Sequence, residues 1–232
     1  MQSFADIFAL ASGRHGGEAN LESSLSSPLS PATIRAIPDQ NWLATFTRVI
    51  CQAGISWKVV DNKWPGIEEA FHQFDLGRNA LMSDEEQDLL ASDTRVIRSP
   101  PKIASVRINA AMLQSFAKQH GSASAMFAEW PSTNYVGLLD LLKSKGSRLG
   151  GNSAAYALRY MGCDAFVFGR DGVAALVREG VVSKAPSSKR DLAKVQDALN
   201  RWMEESGRPL THISQVLACL LYTSPSPRDT NP

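Results

Sequence analysis

The sequence is poor in the residues that staple, chelate or anchor a chain. Its three cysteines, Cys51, Cys163 and Cys219, stand too far apart for a disulfide framework or a cysteine-rich zinc site. Its four histidines, His15, His72, His120 and His212, form no ligand pair with them. No apolar run reaches the roughly eighteen residues that a membrane helix needs, and residues 1–6 lack the basic and apolar regions of a signal peptide. Neither sign of charge is in excess. The 24 Lys and Arg against 23 Asp and Glu leave a formal net charge of +1, so a protein coated in basic surface is excluded and any nucleic-acid contact must come from local clustering. Sustained period-two alternation is missing too, which removes the half-buried strand. These absences lead us to expect a soluble, cytoplasmic, all-α protein with no metal, no cofactor and no membrane partner.

What is present reads as helices. Residues 3–11 are expected to form a short helix, and 12–33, rich in Ser, Gly and Pro, a loop with one helical turn near Leu21. Leu43, Phe46, Ile50 and Ala53 share one face of a helix that Gly54 closes. Pro65 suits the first turn of a further helix over 66–74, with Glu68 and Glu69 there to complement its dipole. Ser83-Asp84-Glu85-Glu86 has the form of a capping box ahead of Leu89 and Leu90. Residues 94–102, which hold Arg98, Pro100-Pro101 and Lys102, read as an exposed loop. Ile103, Val106, Ala110, Leu113 and Ala117 then mark a long amphipathic helix that ends near Gly121. Helices are also expected at 122–130, 135–145, 173–178, from Ser188 through Trp202, and at 209–220. The sum is about ten helices in two lobes, divided into an N-terminal arm and loop (1–37), a helical domain (38–221) and a disordered tail (222–232). The run that begins at Cys219 resembles translated adapter sequence and carries no argument.

The richest stretch is 146–162, where Gly150-Gly151 opens a small-residue helix after the basic run Lys143, Lys145 and Arg148. Backbone N–H groups freed at a helix N-terminus attract an anion, so Gly150, Gly151, Lys145 and Arg148 are candidate phosphate contacts. A Gly-rich turn between two helices, with no ligand, fits the same residues.

Gln52-Ala53-Gly54-Ile55-Ser56-Trp57, then Ala70-Phe71-His72-Gln73-Phe74-Asp75, then Arg95-Val96-Ile97-Arg98 and Lys102-Ile103 ahead of Asn109-Ala110, form an ordered run of matches over roughly 40–180. This run resembles the DNA 3-methyladenine glycosylase I family. The resemblance implies a helix-hairpin-helix DNA glycosylase fold, a monomer acting on double-stranded DNA that contains alkylated bases, and excision of a base such as 3-methyladenine. It places 146–153 at the family's hairpin and makes Trp57, Gln52 and Ser56 the base-binding candidates. Arg98 and Lys102 become a second set of DNA contacts. It also implies a catalytic role for Asp171, downstream of the hairpin helix. The family's zinc ligands are missing, its purine-contacting glutamate falls on Val49, and the N-terminal arm lacks the aromatic pair that helps to enclose the base.

A flipped, cationic base stacks well on an indole, which favours Trp57 as a wall; a core tryptophan is the other reading. A carboxylate beside the sugar, or one that positions a water, suits Asp171, whose other reading is an N-cap for a helix from Gly172. The sequence therefore supports an alkylpurine glycosylase, with a damage-binding protein that has lost excision as the alternative and a helical scaffold for other proteins as the third.

Overall fold

The computed structural model describes residues 1–220. Among them are fourteen α-helices and no strand. The first four are α1 (Phe4–Arg14), α2 (Glu18–Ser24), α3 (Pro31–Arg35) and α4 (Asp39–Gln52); α5 (Trp57–Ala70), α6 (Leu76–Ala80) and α7 (Asp84–Ser92) follow. Then come α8 (Pro100–His120), α9 (Ala123–Glu129), α10 (Tyr135–Lys145) and α11 (Ser153–Tyr160). The last three are α12 (Arg170–Arg178), α13 (Lys189–Ser206) and α14 (Leu210–Cys219). The all-α expectation holds, with more helices than the ten or so read from the sequence. The expected tail, 222–232, lies outside the described residues.

The chain divides into two compact units. Among the described residues one comprises 1–28, 132–136 and 164–220; the other comprises 29–131 and 137–163. In the first unit Phe4, Ile7, Ala11 and Leu21 are buried together with Val195, Leu199, Trp202, Ile213 and Leu217. The indole of Trp202 donates to the carbonyl of Gln2 at 3.2 Å. The Asp164 carboxylate accepts from the N–H groups of Leu210 (3.0 Å) and Thr211 (2.7 Å), which satisfies donors that the start of α14 leaves open.

The second unit is built on α8, which buries Ile103, Val106, Asn109, Ala110, Leu113 and Phe116 along one side. Trp42 of α4 stacks on Phe127 of α9 with ring centroids 4.0 Å apart, and its indole donates to Ser124 Oγ at 2.7 Å. Asp39 caps α9 by accepting from the N–H groups of Ala123 and Ser124.

Four local expectations change. Pro100-Pro101 starts α8 instead of breaking the chain into loop, because the first residues of a helix have no intrahelical use for an N–H. The helix expected from 66 begins at Trp57 and contains Pro65 within it. A proline at 65 leaves the carbonyl of Asp61 without its helical donor; Asp61 is exposed, so water reaches that side. The same helix stops at Ala70, short of 74, because His72, Gln73 and Phe74 take φ of 53°, 53° and 59°. Three successive left-handed non-glycine residues cost about 1–2 kcal/mol each. Burial of Phe71 and Phe74 and the stacking of Phe74 on Trp64 (5.6 Å) offset that cost, as does Asn79, whose Nδ2 donates to the carbonyls of Phe71 and Asp75, each at 2.7 Å. Lastly, 12–33 contains two helices, α2 around a fully buried Leu21 and α3, which is capped by Ser30.

The capping box is present in full. Ser83 Oγ accepts from Glu86 N–H at 3.1 Å and Glu86 Oε2 from Ser83 N–H at 2.9 Å.

Candidate nucleic-acid interface

The 52–57 block is a tight surface turn between α4 and α5. The N–H of Ala53 bonds Val49 O at 3.1 Å, and Gly54 at φ 78° then turns the chain through a conformation that a side chain resists. Ile55 N–H returns to Gln52 O at 3.2 Å. Ser56 takes the N-cap position of α5 and is exposed, with no capping bond from its hydroxyl. Trp57 follows as the first helical residue and is 44% exposed, so the core reading of this indole does not hold. Gln52 is half-buried at the end of α4.

Lys102 is placed differently from its expected position on an exposed DNA-contacting loop. It is buried in the first turn of α8, and its Nζ donates to the carbonyls of Cys51 (2.9 Å) and Ala53 (2.8 Å). The ammonium thus satisfies the open carbonyl end of α4, where the helix dipole favours a cation. Burial lowers its pKa; Cys51 opposes that and Arg148 adds to it. Burial pushes the Cys51 thiol up to about 11, so it stays neutral beside the lysine near pH 7. A lysine inside an apparently polar Pro-Pro-Lys run gave no sequence sign of this role.

The hairpin is held from α8 as well. Asn109, fully buried, accepts from Ser147 N–H at 2.8 Å and donates to Ser147 O at 3.1 Å, so one side chain clamps both polar groups of that residue. Gly146 is required by space. A Cβ there would lie 2.7 Å from Leu149 Cδ1, 2.8 Å from Leu142 O and 2.9 Å from Asn109 Oδ1. Arg148 takes φ 60° and is exposed, while Leu149 next to it is buried. Gly151, at φ 58°, leads into α11. Lys145, Arg148 and Gly151 are exposed and Gly150 is half-buried.

Lys102 and Asn109 lie seven residues apart on α8, two turns and about 10 Å of rise. One helix therefore positions the tryptophan turn at one point and the Gly-rich hairpin at the other, and Arg148 comes near enough to Lys102 to act on its charge. Sequence reasoning missed this clamp. A buried asparagine on the apolar face of α8 was its only trace.

Arg98 is exposed in the connection that precedes α8. Asp171 belongs to the first unit. It sits in the first turn of α12 and is half-exposed; Gly169 is the N-cap, so the N-cap reading of Asp171 is replaced by that of a first-turn acid facing the helix dipole. Among the described residues no group of three His, Cys, Asp or Glu side chains is gathered to hold a metal ion. No described helix is long and apolar enough to cross a membrane.

The described residues thus define an all-α protein whose second unit presents a Gly-rich helix hairpin and an exposed tryptophan turn braced by one central helix. Residues 37–137, which include the 52–57 block, match the family model described as methyladenine glycosylase. DNA-3-methyladenine glycosylase 1 of Escherichia coli (strain K12) is 36% identical over 85 residues, 36% of this chain and 44% of that protein, so the match spans less than half of the relative's length. A crystal structure of 3-methyladenine DNA glycosylase I covers 63% of this chain and 86% of its own at 22% identity and a TM-score of 0.46. The Staphylococcus aureus enzyme in a structure of 3-methyladenine recognition covers 62% and 84% at 18% identity and a TM-score of 0.49. The sequence match, and not these superpositions, carries the relation. It includes the block, α5 and α8, and it stops before the hairpin.

Proposed function

We propose that the chain is a DNA base-excision glycosylase that hydrolyses the N-glycosidic bond of alkylated purines such as 3-methyladenine. The observation that carries this reading is the bracing of two elements by α8, through Lys102 on the 52–57 turn and Asn109 on the hairpin. In this reading Gly150, Gly151, Lys145 and Arg148 take a phosphate of the duplex, with Arg98 as a further cation on the backbone. Holding the backbone fixes where an extruded base arrives, at a cost of a few kcal/mol for unstacking. Trp57, with Gln52 and Ser56 beside it, receives that base. The alkylated purine is cationic and already a good leaving group, so the chain supplies little acid catalysis. Asp171 orients the water and stabilises the sugar as it gains oxocarbenium character.

Incubation with methylated duplex, scoring free 3-methyladenine, tests the proposal. Release must exceed that from a reaction without protein, and its absence sinks the enzymatic reading. Asp171→Asn is expected to slow release by about tenfold or more at unchanged duplex affinity; full activity would leave Asp171 only its place in the first turn of α12.

Val49 favours a second reading. It is 8% exposed on α4 and offers no carboxylate where the family places its purine-contacting glutamate. A damage-binding protein without turnover would prefer alkylated or abasic duplex over intact duplex and release nothing.

A further inference from the structure

α11 leaves the hairpin with one side apolar and buried, through Ala154, Ala155, Ala157 and Leu158. Its other side carries Tyr156 and Tyr160 one turn apart, 36% and 52% exposed, with ring centroids 6.1 Å apart and planes at 29°. The two stacked rings are partly packed in the fold and leave the rest of their aromatic surface open to solvent. Arg48 of α4 acts electrostatically on Tyr160. Its guanidinium lies 4.9 Å from the Trp64 ring centroid and pairs with Asp61 at 2.6 Å, so it adds a flat surface with its charge already matched. Burial raises the pKa of the Tyr160 phenol, as does Tyr156; Arg48 acts in the other direction, which puts the guanidinium within electrostatic reach of that ring.

α4 meets α11 at the end of the latter, where Thr45 Oγ1 donates to Met161 Sδ at 3.0 Å. Tyr156 lies three residues past the start of α11 at Ser153, about 4.5 Å of rise, so it stands close behind the hairpin turn. A backbone gripped at the hairpin turn would hold its neighbouring nucleotide over these rings.

We propose that Tyr156 and Tyr160 form a second stacking wall for the extruded alkylated purine, in addition to Trp57 and in place of the aromatic pair that the N-terminal arm lacks. The inference rests on the glycosylase reading. It assigns recognition to electron-rich ring faces, which favour a cationic base over a neutral one.

The test uses the whole chain with both tyrosines changed together, Y156A/Y160A and, as the conservative pair, Y156F/Y160F. Two readouts are compared: single-turnover release of 3-methyladenine from methylated duplex, and affinity for a duplex with a tetrahydrofuran abasic analogue, which has no base to stack. The alanine pair should slow release by about tenfold or more and leave abasic affinity within about twofold, while the phenylalanine pair keeps both near wild type. If the alanine pair melts early, Y156L/Y160L keeps the apolar bulk without the ring face and carries the same comparison. Wild-type release rates in the alanine or leucine pair overturn the wall, and equal losses on both duplexes overturn it in favour of a general DNA contact. Failure of the wild-type chain itself to release 3-methyladenine overturns the glycosylase reading and this inference with it, a result distinct from an active enzyme indifferent to its tyrosines.

Discussion

Replacing Asn109 by Ala removes both bonds that tie Ser147 to α8. Each contributes about 1 kcal/mol net, and a Ser147 N–H or carbonyl left without water adds a further penalty, so the loss should be about 2–4 kcal/mol in all. Urea denaturation measures it as a lower midpoint at unchanged slope. N109D sharpens the test because it keeps the acceptor for Ser147 N–H while setting an oxygen against Ser147 O, where Nδ2 now donates. Burial and the facing carbonyl hold the introduced carboxyl above its unfolded pKa of about 3.9. Between those two values the folded state binds more protons than the unfolded state, so stability falls as pH rises. N109D should therefore lie nearest to wild type in acid, where the protonated oxygen can donate, and show its full penalty above the raised pKa. Under the proposed function duplex affinity should fall with the same variants, since the hairpin assigned to the phosphate loses its anchor. A change in stability under about 0.5 kcal/mol for N109A, or a penalty for N109D that does not depend on pH, would refute the clamp.

Two further perturbations separate the elements that α8 braces. Lys102→Met should cost about 1–3 kcal/mol by leaving the Cys51 and Ala53 carbonyls without their charged donor, yet leave the salt dependence of duplex binding unchanged. Arg148→Glu should reduce that slope by about one, and equal slope changes in the two variants would return Lys102 to the DNA. Gly146→Ala should destabilise by about 1–3 kcal/mol, because its Cβ collides with Leu149, the Leu142 carbonyl and the Asn109 side chain together; a melting temperature equal to wild type would show that the turn yields freely.

The helices that periodicity exposes were legible, and those that other forces impose were not. The capping box at Ser83 and the left-handed stop at Gly121 sit where their residues say they should, because each is a local device whose chemistry is written in consecutive positions. α5 ran against its local signal. A proline read as the start of a helix lies inside one, since packing of Val60 and Ile67 sets the helix and water attends to the carbonyl that Pro65 leaves open. The left-handed turn at 72–74 had no signal at all, because nothing in His-Gln-Phe asks for positive φ. It exists because Asn79 and two buried phenylalanines hold the chain there.

The candidate site divides along the same line. Trp57 and the hairpin glycines announce themselves because their residue types are unusual where they stand. Lys102 and Asn109 do not, because a basic residue after two prolines and a polar residue in a helix take their meaning from partners about fifty and forty positions away. Val49 draws the chemical consequence. A valine neither pairs with a cation nor accepts a proton, so under the proposed function discrimination falls to ring faces, worth about 0.5–2 kcal/mol for a cation over an aromatic ring. A hydrogen bond to a charged group is worth about 1.5–3 kcal/mol. An enzyme built on stacking alone would separate alkylated from intact purines by binding less sharply than one with the glutamate. It would depend more on the weakened glycosidic bond of the lesion itself, so its selectivity should appear in the rate of release more than in affinity for the damaged duplex.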